Sequence, residues 1–236
     1  MTLVTSLIFQ RNGVMTHPLE KYLNNFKYIS DLNIKTIFFL DRRIEIPKWI
    51  SSNIKVIPIS IEELEFFELM KSAEIVTQGQ GISFNPQKNT LDYMIIQNSK
   101  TEFMHKALSL TEDGKLFWLD SGVAHIMKTP EETLKKVYQV NHLQKGLIIP
   151  GCRESNDNLE DINWRFCGGF FKGERDILED FYKQSKIAIN KILPKATWEV
   201  NIWAWMEKNI EFPFKWYLAD HNDTFFNFEK YLINLK

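Results

Sequence analysis

The chain has 236 residues, of which 44% are hydrophobic and 14% aromatic, a composition that supports a full core and excludes wholesale disorder. Its formal net charge of −1 lacks the basic excess of a dedicated nucleic-acid binder, so we expect no nucleic acid as a partner. The two cysteines lack zinc-type spacing, and no signal-peptide or bilayer-spanning pattern occurs, so we expect a cytoplasmic protein without an integral membrane segment.

Apolar strands alternate with amphipathic helices through the first third of the chain. Three stretches rich in β-branched and aromatic residues predict buried strands, and the second of them ends in Asp41. From Pro18 onwards apolar residues recur at helical spacing, which predicts an amphipathic helix between the first two strands. This order is typical of an α/β domain with a mixed, mostly parallel sheet flanked by helices. The three predicted strands cover residues 2–9, 35–41 and 53–59.

The rest of the chain continues this alternation without an internal repeat or an interdomain linker. One domain over residues 1–236, with a C-terminal helical segment from about residue 174 packed on it, is the simplest organisation. Helices are predicted over residues 91–110 and 174–192 and from Thr129 and Thr197 onwards, and strands over residues 115–119, 146–150, 162–171 and 212–218.

The first candidate site follows the predicted strand at residues 115–119, which leads into Asp120, Ser121 and Gly122. In sheets covered by helices, ligands bind beyond the carboxyl ends of the strands. Asp120 would offer a hard oxygen ligand there to a divalent ion that also holds phosphate oxygens, and Gly122 would let a ligand approach the backbone. An aspartate after a strand also commonly caps a turn, and this stretch alone leaves both interpretations open.

Two further candidates lie later in the chain. Glu199 and Asn201 are the polar residues near the start of an otherwise apolar, tryptophan-rich helix, where a buried carboxylate can act as a general base. A glutamate in a first turn also stabilises a helix through the helix dipole, so a structural role stays open. Gly168 and Gly169 interrupt a predicted strand, which indicates either a β-bulge or a flat surface for a sugar.

Charged residues elsewhere offer additional ligand contacts. Asp220 and His221 follow a predicted strand and pair a carboxylate with an imidazole, a donor set suited to manganese or magnesium, although turn residues have the same composition. Lys100 lies on the helix before the Asp120 strand, where its ammonium can reach a diphosphate or stay solvated.

Several short landmarks, taken together and in order, resemble the HtrL/YibB-type family of bacterial glycosyltransferases, which is similar to GT-A enzymes. The resemblance implies a single-domain, Rossmann-like GT-A fold. It also implies a glycosyltransferase that moves a sugar from a nucleotide-sugar donor to a glycan or glycoconjugate acceptor. Independently of the resemblance, a partner or substrate could bring the expected cytoplasmic protein to the periphery of a membrane. The landmarks are residues 2–6, 20–26, 98–103, 107–108, 117–122, 167–173, 199–203 and 216–221.

The resemblance also implies roles for individual residues. Asp120 and His221 would bind Mn²⁺ or Mg²⁺, which stabilises the departing diphosphate. Asp120 would be catalytic as the acid that binds the metal. Glu199 would face the sugar and the acceptor and, in an inverting transfer, would be the base that takes the acceptor proton. Gly168, Gly169 and Asn201 would face the sugar and the acceptor. The residues expected at the nucleotide donor are Thr5, Ser6, Asp41, Lys100, Trp118, Leu119 and Ser121.

One departure from the GT-A pattern leaves alternatives open. GT-A enzymes commonly carry Asp-x-Asp, whereas Trp118 and Leu119 precede a single Asp120, so metal binding would need Asp220 or His221 as a second ligand. A non-catalytic nucleotide- or sugar-binding module is one alternative. A nucleotidyltransferase is another, although residues 10–13 are a poor version of the glycine- and lysine-rich loop that such enzymes use to hold a triphosphate.

Overall fold

A computed structural model describes residues 1–76, 85–152, 154 and 158–228. The strands in chain order are β1 (Thr2–Leu7), β2 (Thr36–Asp41), β3 (Ile54–Ile59), β4 (Glu74–Ile75), β5 (Lys115–Leu119), β6 (Ile148–Gly151), β7 (Phe170–Glu174), β8 (Lys195–Ala196) and β9 (Lys215–Leu218). The α-helices are α1 (Leu19–Ser30), α2 (Glu65–Met70), α3 (Leu91–Asn98), α4 (Lys100–Leu108), α5 (Pro130–Lys135), α6 (Arg175–Ile192) and α7 (Glu199–Asn209).

The main sheet has seven strands in the order β3-β2-β1-β5-β7-β6-β9. Its neighbouring strands are parallel except at β7, which runs antiparallel to both β5 and β6. A separate parallel pair joins β4 to β8. The predicted fold class, an α/β domain with a mixed, mostly parallel sheet flanked by helices, is confirmed.

The chain reverses its direction of travel across the sheet at β1. It leaves β1 for β2 and β3 on one side and later returns to β5 on the other side. The loops that follow β1 and β5 therefore diverge and open a crevice at the carboxyl ends of these strands. Such a switch point is where open α/β sheets bind their ligands.

Both faces of the sheet are buried, which explains why its central strands are apolar without alternation. On β5, Leu116 and Trp118 point into the core covered by α2, α3, α4, α6 and α7. Phe117 and Leu119 point into the opposite core, which α1, α5 and the phenylalanines near residue 226 cover. Because successive strand residues face opposite sides, only alternate residues of a strand can line a site on one side. Within the described residues, no helix has the length and hydropathy needed to cross a bilayer.

The helix predicted over residues 91–110 consists of two helices that meet at Ser99. The side-chain amide of Asn98 donates to a carbonyl of α3 and to Thr197 O, both at 2.9 Å. The Ser99 hydroxyl donates to the carbonyl four residues earlier at 2.8 Å. Side chains that bond back to helix carbonyls commonly bend a helix. The break makes Lys100 the first residue of α4.

The strand predicted over residues 162–171 begins only at Phe170. Before it, side chains accept two of the backbone N–H groups, since Asn163 N donates to Asn201 Oδ1 at 2.6 Å and Arg165 N donates to Asn163 Oδ1 at 3.0 Å. Within the described residues, only an isolated bridge between Phe166 and Gly151 joins this segment to β6. Side-chain bonds of this kind compete with a strand ladder. The segment from about residue 174 contributes α6 and α7 but also β9 of the main sheet, and its last residues, 229–236, lie outside the described residues.

Candidate functional site

A cavity of about 390 Å³ lies at the carboxyl ends of β1 and β5, at the switch point of the sheet. Ser6 from β1 and Asp120, Ser121 and Gly122 after β5 form its floor. Gly168 comes from the irregular segment before β7, and further walls come from the loops around residues 14–17 and 85–88. The cavity therefore occupies the position that the topology favours for a ligand.

A buried ammonium group joins three elements at the bottom of this cavity. Lys100 Nζ, at the start of α4, lies 2.8 Å from Glu199 Oε1, at the start of α7. It lies 3.1 Å from Asp120 Oδ1 and 3.2 Å from Oδ2, just beyond β5, and donates to Gly168 O at 3.0 Å. Only 4% of the side chain of Lys100 and of Glu199 is exposed, whereas 33% of that of Asp120 is exposed, so Asp120 is the most accessible of the three side chains.

The ion cluster keeps Lys100 charged in spite of its burial. Burial by itself lowers the pKa of Lys100, but the carboxylates of Asp120 and Glu199 outweigh this effect and raise the pKa above its ordinary value. Asp120 is fixed in turn by its neighbours, because its N–H donates to Gly169 O at 2.9 Å and Trp118 Nε1 donates to its Oδ1 at 2.6 Å. The cluster is therefore a rigid group with one positive and two negative charges.

A second lysine, which sequence reasoning missed, faces the same cavity. Lys88 lines the wall, and in the described part of the chain its ammonium makes no hydrogen bond or ion pair. Two contacts join the loop after β1 to the segment that carries Lys88. Arg11 Nη2 pairs with Asp92 at 2.7 Å, and Gln10 donates to Gln87 O at 2.8 Å. Burial lowers the pKa of Lys88, and Asp120 and Glu199 oppose that effect. The loop after β1 thus holds a neighbouring loop that carries the cation.

Further aromatic rings and imidazoles complete the walls. His221 was expected from the sequence, whereas Tyr93, Trp198, His17 and His125 were not expected at the site. Tyr93 and Trp198 pack edge to face with ring centroids 5.3 Å apart. Three histidines follow one another along the rim, with centroids 5.8 Å apart for His17 and His125 and 6.4 Å apart for His125 and His221. They come from separate loops, so only the assembled fold could show that the three lie side by side.

Most of the residues expected from the sequence line this cavity. The residues that do so are Ser6, Lys100, Trp118, Asp120, Ser121, Gly168, Gly169, Glu199 and His221. Ser121 Oγ donates to Ser6 O at 2.8 Å, which ties the end of β5 to the end of β1. The structure thus brings together the ends of two strands and the start of α7, as the sequence predicted, although the roles of these residues in a reaction stay predictions.

Four of the expected residues do not line the cavity. Thr5 and Leu119 are fully buried within the sheet, because each alternates with a neighbour that does face the cavity. Asn201 is occupied elsewhere, since its amide nitrogen donates to Asp161 O at 2.8 Å and to Thr197 Oγ1 at 2.7 Å. Its role is to hold the loop before β7 rather than to contact a ligand in this cavity.

Asp41 is the fourth of these residues. It is buried under its own loop, where Arg43 Nε donates to its Oδ1 and Arg43 Nη2 to its Oδ2, both at 2.8 Å. Phe9 N donates to Oδ2 at 2.9 Å, so the carboxylate joins the loops after β1 and β2. Burial alone would raise the pKa of Asp41, but these donors outweigh it and hold the pKa below its ordinary value. Asp41 is a structural ion pair.

The residues around Asp120 do not fit a divalent ion held by the chain alone. Both of its carboxylate oxygens face Lys100, and Trp118 also donates to Oδ1. His221 lies against aromatic rings, with its centroid 5.9 Å from that of Phe225 and 6.0 Å from that of Trp164. In the part of the chain that the structure describes, no group of three or more His, Cys, Asp or Glu side chains is arranged to hold a metal ion.

The chain is similar in fold to several solved structures, at low sequence identity. No family model and no curated protein matches it. The bifunctional IspDF from Campylobacter jejuni is 11% identical, with a TM-score of 0.43, over 93% of this chain and 49% of that one, so the chain spans about half of that protein. HddC from Yersinia pseudotuberculosis is 11% identical, with a TM-score of 0.43, over 92% and 89% of the two chains. A CMP:2-keto-3-deoxy-manno-octonic acid synthetase complexed with CTP is 7% identical, with a TM-score of 0.44, over 99% and 98%.

These comparisons correct the function expected from the sequence. The matched structures are nucleotidyltransferases and not glycosyltransferases that use a nucleotide-sugar donor. The predicted glycosyltransferase activity is therefore wrong on this comparison. At these identities and TM-scores the likeness itself concerns only the fold, so any function has to be argued from the side chains of the cavity.

Substituting Gly168 tests the packing of the ion cluster. A Cβ atom at this position would overlap Glu199 Oε1 and lie 3.2 Å from Val200 Cγ1, so Gly168→Ala has to displace the carboxylate from Lys100. We expect Gly168→Ala to lower the free energy of unfolding by about 1–3 kcal/mol, measured by urea denaturation. Gly114→Ala is the matched control, because a Cβ there meets nothing within 4 Å, and we expect a change of at most about 0.5 kcal/mol. Equal effects of both changes would contradict this account.

The Asp41 ion pair predicts a pH dependence of stability. Because the pKa of folded Asp41 lies below its ordinary value of 3.8, the carboxylate stabilises the fold above that pH and loses its contribution as the pH falls through the folded-state pKa. We expect Asp41→Asn to cost about 1–3 kcal/mol at neutral pH, with the difference from the wild type shrinking below pH 3.8. Urea unfolding between neutral and acidic pH measures it, with the exposed Asp31→Asn as control. A difference that stays constant with pH would refute the prediction.

Proposed function

We propose that the cavity binds a nucleoside triphosphate and that the chain transfers its nucleotidyl group to an acceptor. One observation carries the proposal. Lys88 and Glu199 line the same cavity among aromatic rings, and within the described residues neither the Lys88 ammonium nor the buried Glu199 Oε2 has a hydrogen-bond or ion-pair partner. A ligand that satisfies both must carry an anionic group and a hydrogen-bond donor, and must tolerate flat apolar walls. A nucleotide has all three in its phosphates, its ribose hydroxyls and its base.

Lys88 supports the phosphate part of this proposal. If the histidines are neutral, the two positive charges of Lys88 and Lys100 equal the two negative charges of Asp120 and Glu199 in number. Lys100 pairs with both carboxylates, whereas Lys88 pairs with neither. A half-buried ammonium without a counter-ion gains most from an anion that enters the cavity with it, because the surroundings screen the attraction poorly. The triphosphate would therefore lie along the wall that carries Lys88 and the histidine rim.

Glu199 and the aromatic walls support the nucleoside part. A buried carboxylate oxygen without a donor costs free energy, which a ribose hydroxyl that donates to Glu199 Oε2 would recover. Tyr93 and Trp198 offer ring faces or edges for the base, and stacking of a base on an aromatic side chain contributes about 1–3 kcal/mol. This arrangement favours nucleosides over simple sugar phosphates.

The reaction follows from the position of the cation. An acceptor oxygen forms a bond to the α-phosphorus, the bond from that phosphorus to the bridging oxygen breaks, and pyrophosphate leaves with the electron pair. A phosphate acceptor brings no proton to this step, whereas a hydroxyl acceptor must give one up to a base. Lys88 would offset the negative charge that grows on the leaving pyrophosphate.

Nucleotide binding is tested by thermal unfolding with a panel of nucleoside triphosphates. A ligand at roughly 100 times its Kd stabilises the folded state by about 2.7 kcal/mol, which raises Tm by about 5–10 °C for a chain of this size. We expect Lys88→Ala to weaken the affinity by about 10- to 100-fold, the value of a charge-assisted hydrogen bond. Lys191→Ala, an exposed lysine on α6 away from the cavity, should bind as the wild type does. No shift with any nucleotide would refute the proposal.

Turnover is tested separately with the nucleotide that binds. Release of pyrophosphate is measured in the presence of a panel of sugar phosphates and other phosphate monoesters, and formation of the matching nucleotidyl product is followed by mass spectrometry. We expect acceptor-dependent release that Lys88→Ala reduces at least as strongly as it reduces binding. Tight binding without turnover for any acceptor would instead favour the non-catalytic nucleotide-binding module.

A further inference from the structure

We infer that Lys100 occupies a latent divalent-cation site, so that the chain's own ammonium stands where a metal ion would otherwise bind. The part of this inference that concerns nucleotides rests on the proposed function, whereas the part that concerns metal binding stands without it. The sequence predicted Mn²⁺ or Mg²⁺ at Asp120, and the inference reverses that expectation.

The surroundings of Lys100 Nζ are those of a hard cation. Its partners are carboxylate and carbonyl oxygens, at 2.8 Å for Glu199 Oε1, 3.0 Å for Gly168 O, 3.1 Å for Asp120 Oδ1 and 3.2 Å for Asp120 Oδ2. Two carboxylates and a backbone carbonyl are the ligands that Mg²⁺, Mn²⁺ and Ca²⁺ prefer. The distances suit an ammonium, since metal–oxygen bonds would be about 2.0–2.6 Å.

A further oxygen of this cage is unused. Glu199 Oε2 is buried and has no hydrogen-bond partner in the described part of the chain, although Oε1 of the same carboxylate is bound to Lys100. An ammonium has three N–H donors, and Glu199 Oε1, Gly168 O and the Asp120 carboxylate take them all. A divalent ion could bind both oxygens of Glu199. The cage therefore offers more oxygens than the ammonium uses.

Lys100 holds this place because it is tethered. It is the first residue of α4 and its side chain is 4% exposed, so its ammonium reaches the cage from within the fold. Because the ammonium is covalently attached to the chain, it does not dissociate into solution as a metal ion can. A divalent ion has to displace it, which would leave a buried ammonium without partners. Nucleotide binding should then proceed without a divalent ion, with Lys88 as the phosphate contact.

Removal of the ammonium tests the cage directly. Mn²⁺ binding is measured without nucleotide, by electron paramagnetic resonance of free Mn²⁺ and by thermal unfolding with Mn²⁺ or EDTA. We expect no binding by the wild type at Mn²⁺ concentrations at which Lys100→Met binds one ion, with a rise in Tm of about 5–10 °C at roughly 100 times its Kd. A folded Lys100→Met protein without Mn²⁺ binding would overturn the inference.

Two control variants separate the cage from a general effect of losing a lysine. Lys106→Met removes another ammonium of α4 that pairs with a buried carboxylate, that of Glu102 at 3.2 Å. Both Glu102 oxygens still accept backbone N–H groups of α2, so they are not free to bind an ion and we expect no Mn²⁺ binding. Lys100→Met combined with Glu199→Gln removes one of the two carboxylates of the cage and should lose the ion again.

Measurements on the wild type decide the inference even where Lys100→Met does not fold. Nucleotide affinity in EDTA should equal the affinity in Mn²⁺ within about twofold, a free-energy difference smaller than that of one hydrogen bond. Tight Mn²⁺ binding by the wild type without nucleotide, or nucleotide binding that is lost in EDTA and restored by Mn²⁺, would overturn the inference and leave the proposed function intact. Failure of every nucleotide to bind would instead refute the proposed function, and the Mn²⁺ measurements would still decide the inference.

Discussion

The ion cluster of Lys100, Asp120 and Glu199 is the constraint on which the site depends. Each member is the first residue of a helix or directly follows a strand, so the cluster joins α4, β5 and α7 at one point. Any one of these charges buried alone would cost several kcal/mol, whereas together they satisfy one another. The three elements therefore cannot shift independently, and the bottom of the cavity is rigid.

Glycine is required where the cluster meets the segment before β7. Gly168 supplies a carbonyl to Lys100, while its Cα lies so close to Glu199 that a methyl group would overlap the carboxylate. Gly169 supplies a carbonyl to the N–H of Asp120, with Phe225 behind it. The paired glycines thus let the backbone approach the acidic side chains closely. Neither a β-bulge nor a flat sugar-binding surface would by itself require such an approach.

The sequence predicted the class of the fold and most of the floor of the site, because both depend on local pattern. An apolar run that ends in Asp120, and a single acid in an apolar helix at Glu199, can be recognised without the fold. Asp41 ends a strand in the same way, but its carboxylate is paired with Arg43, two residues later. The sequence pattern alone does not distinguish this structural aspartate from Asp120 at the cavity. Lys88 depends on loops that meet through contacts such as that of Arg11 with Asp92, far apart in the chain. His17 and His125 come from separate loops that only the fold brings to the predicted His221.

The unpartnered oxygen of Glu199 is where the proposed ligand would gain free energy by donating a hydrogen bond. The buried side-chain atoms without a hydrogen-bond partner in the described residues are Thr5 Oγ1, Asn89 Oδ1, His105 Nδ1 and Glu199 Oε2. Of these four residues, Glu199 alone lines the cavity. Its other oxygen is held by Lys100, so the carboxylate cannot turn away to find a donor within the protein. The cost of that oxygen is therefore kept until a donor enters from the cavity, and a group that donates there binds with an advantage that a phosphate or an apolar ring does not have.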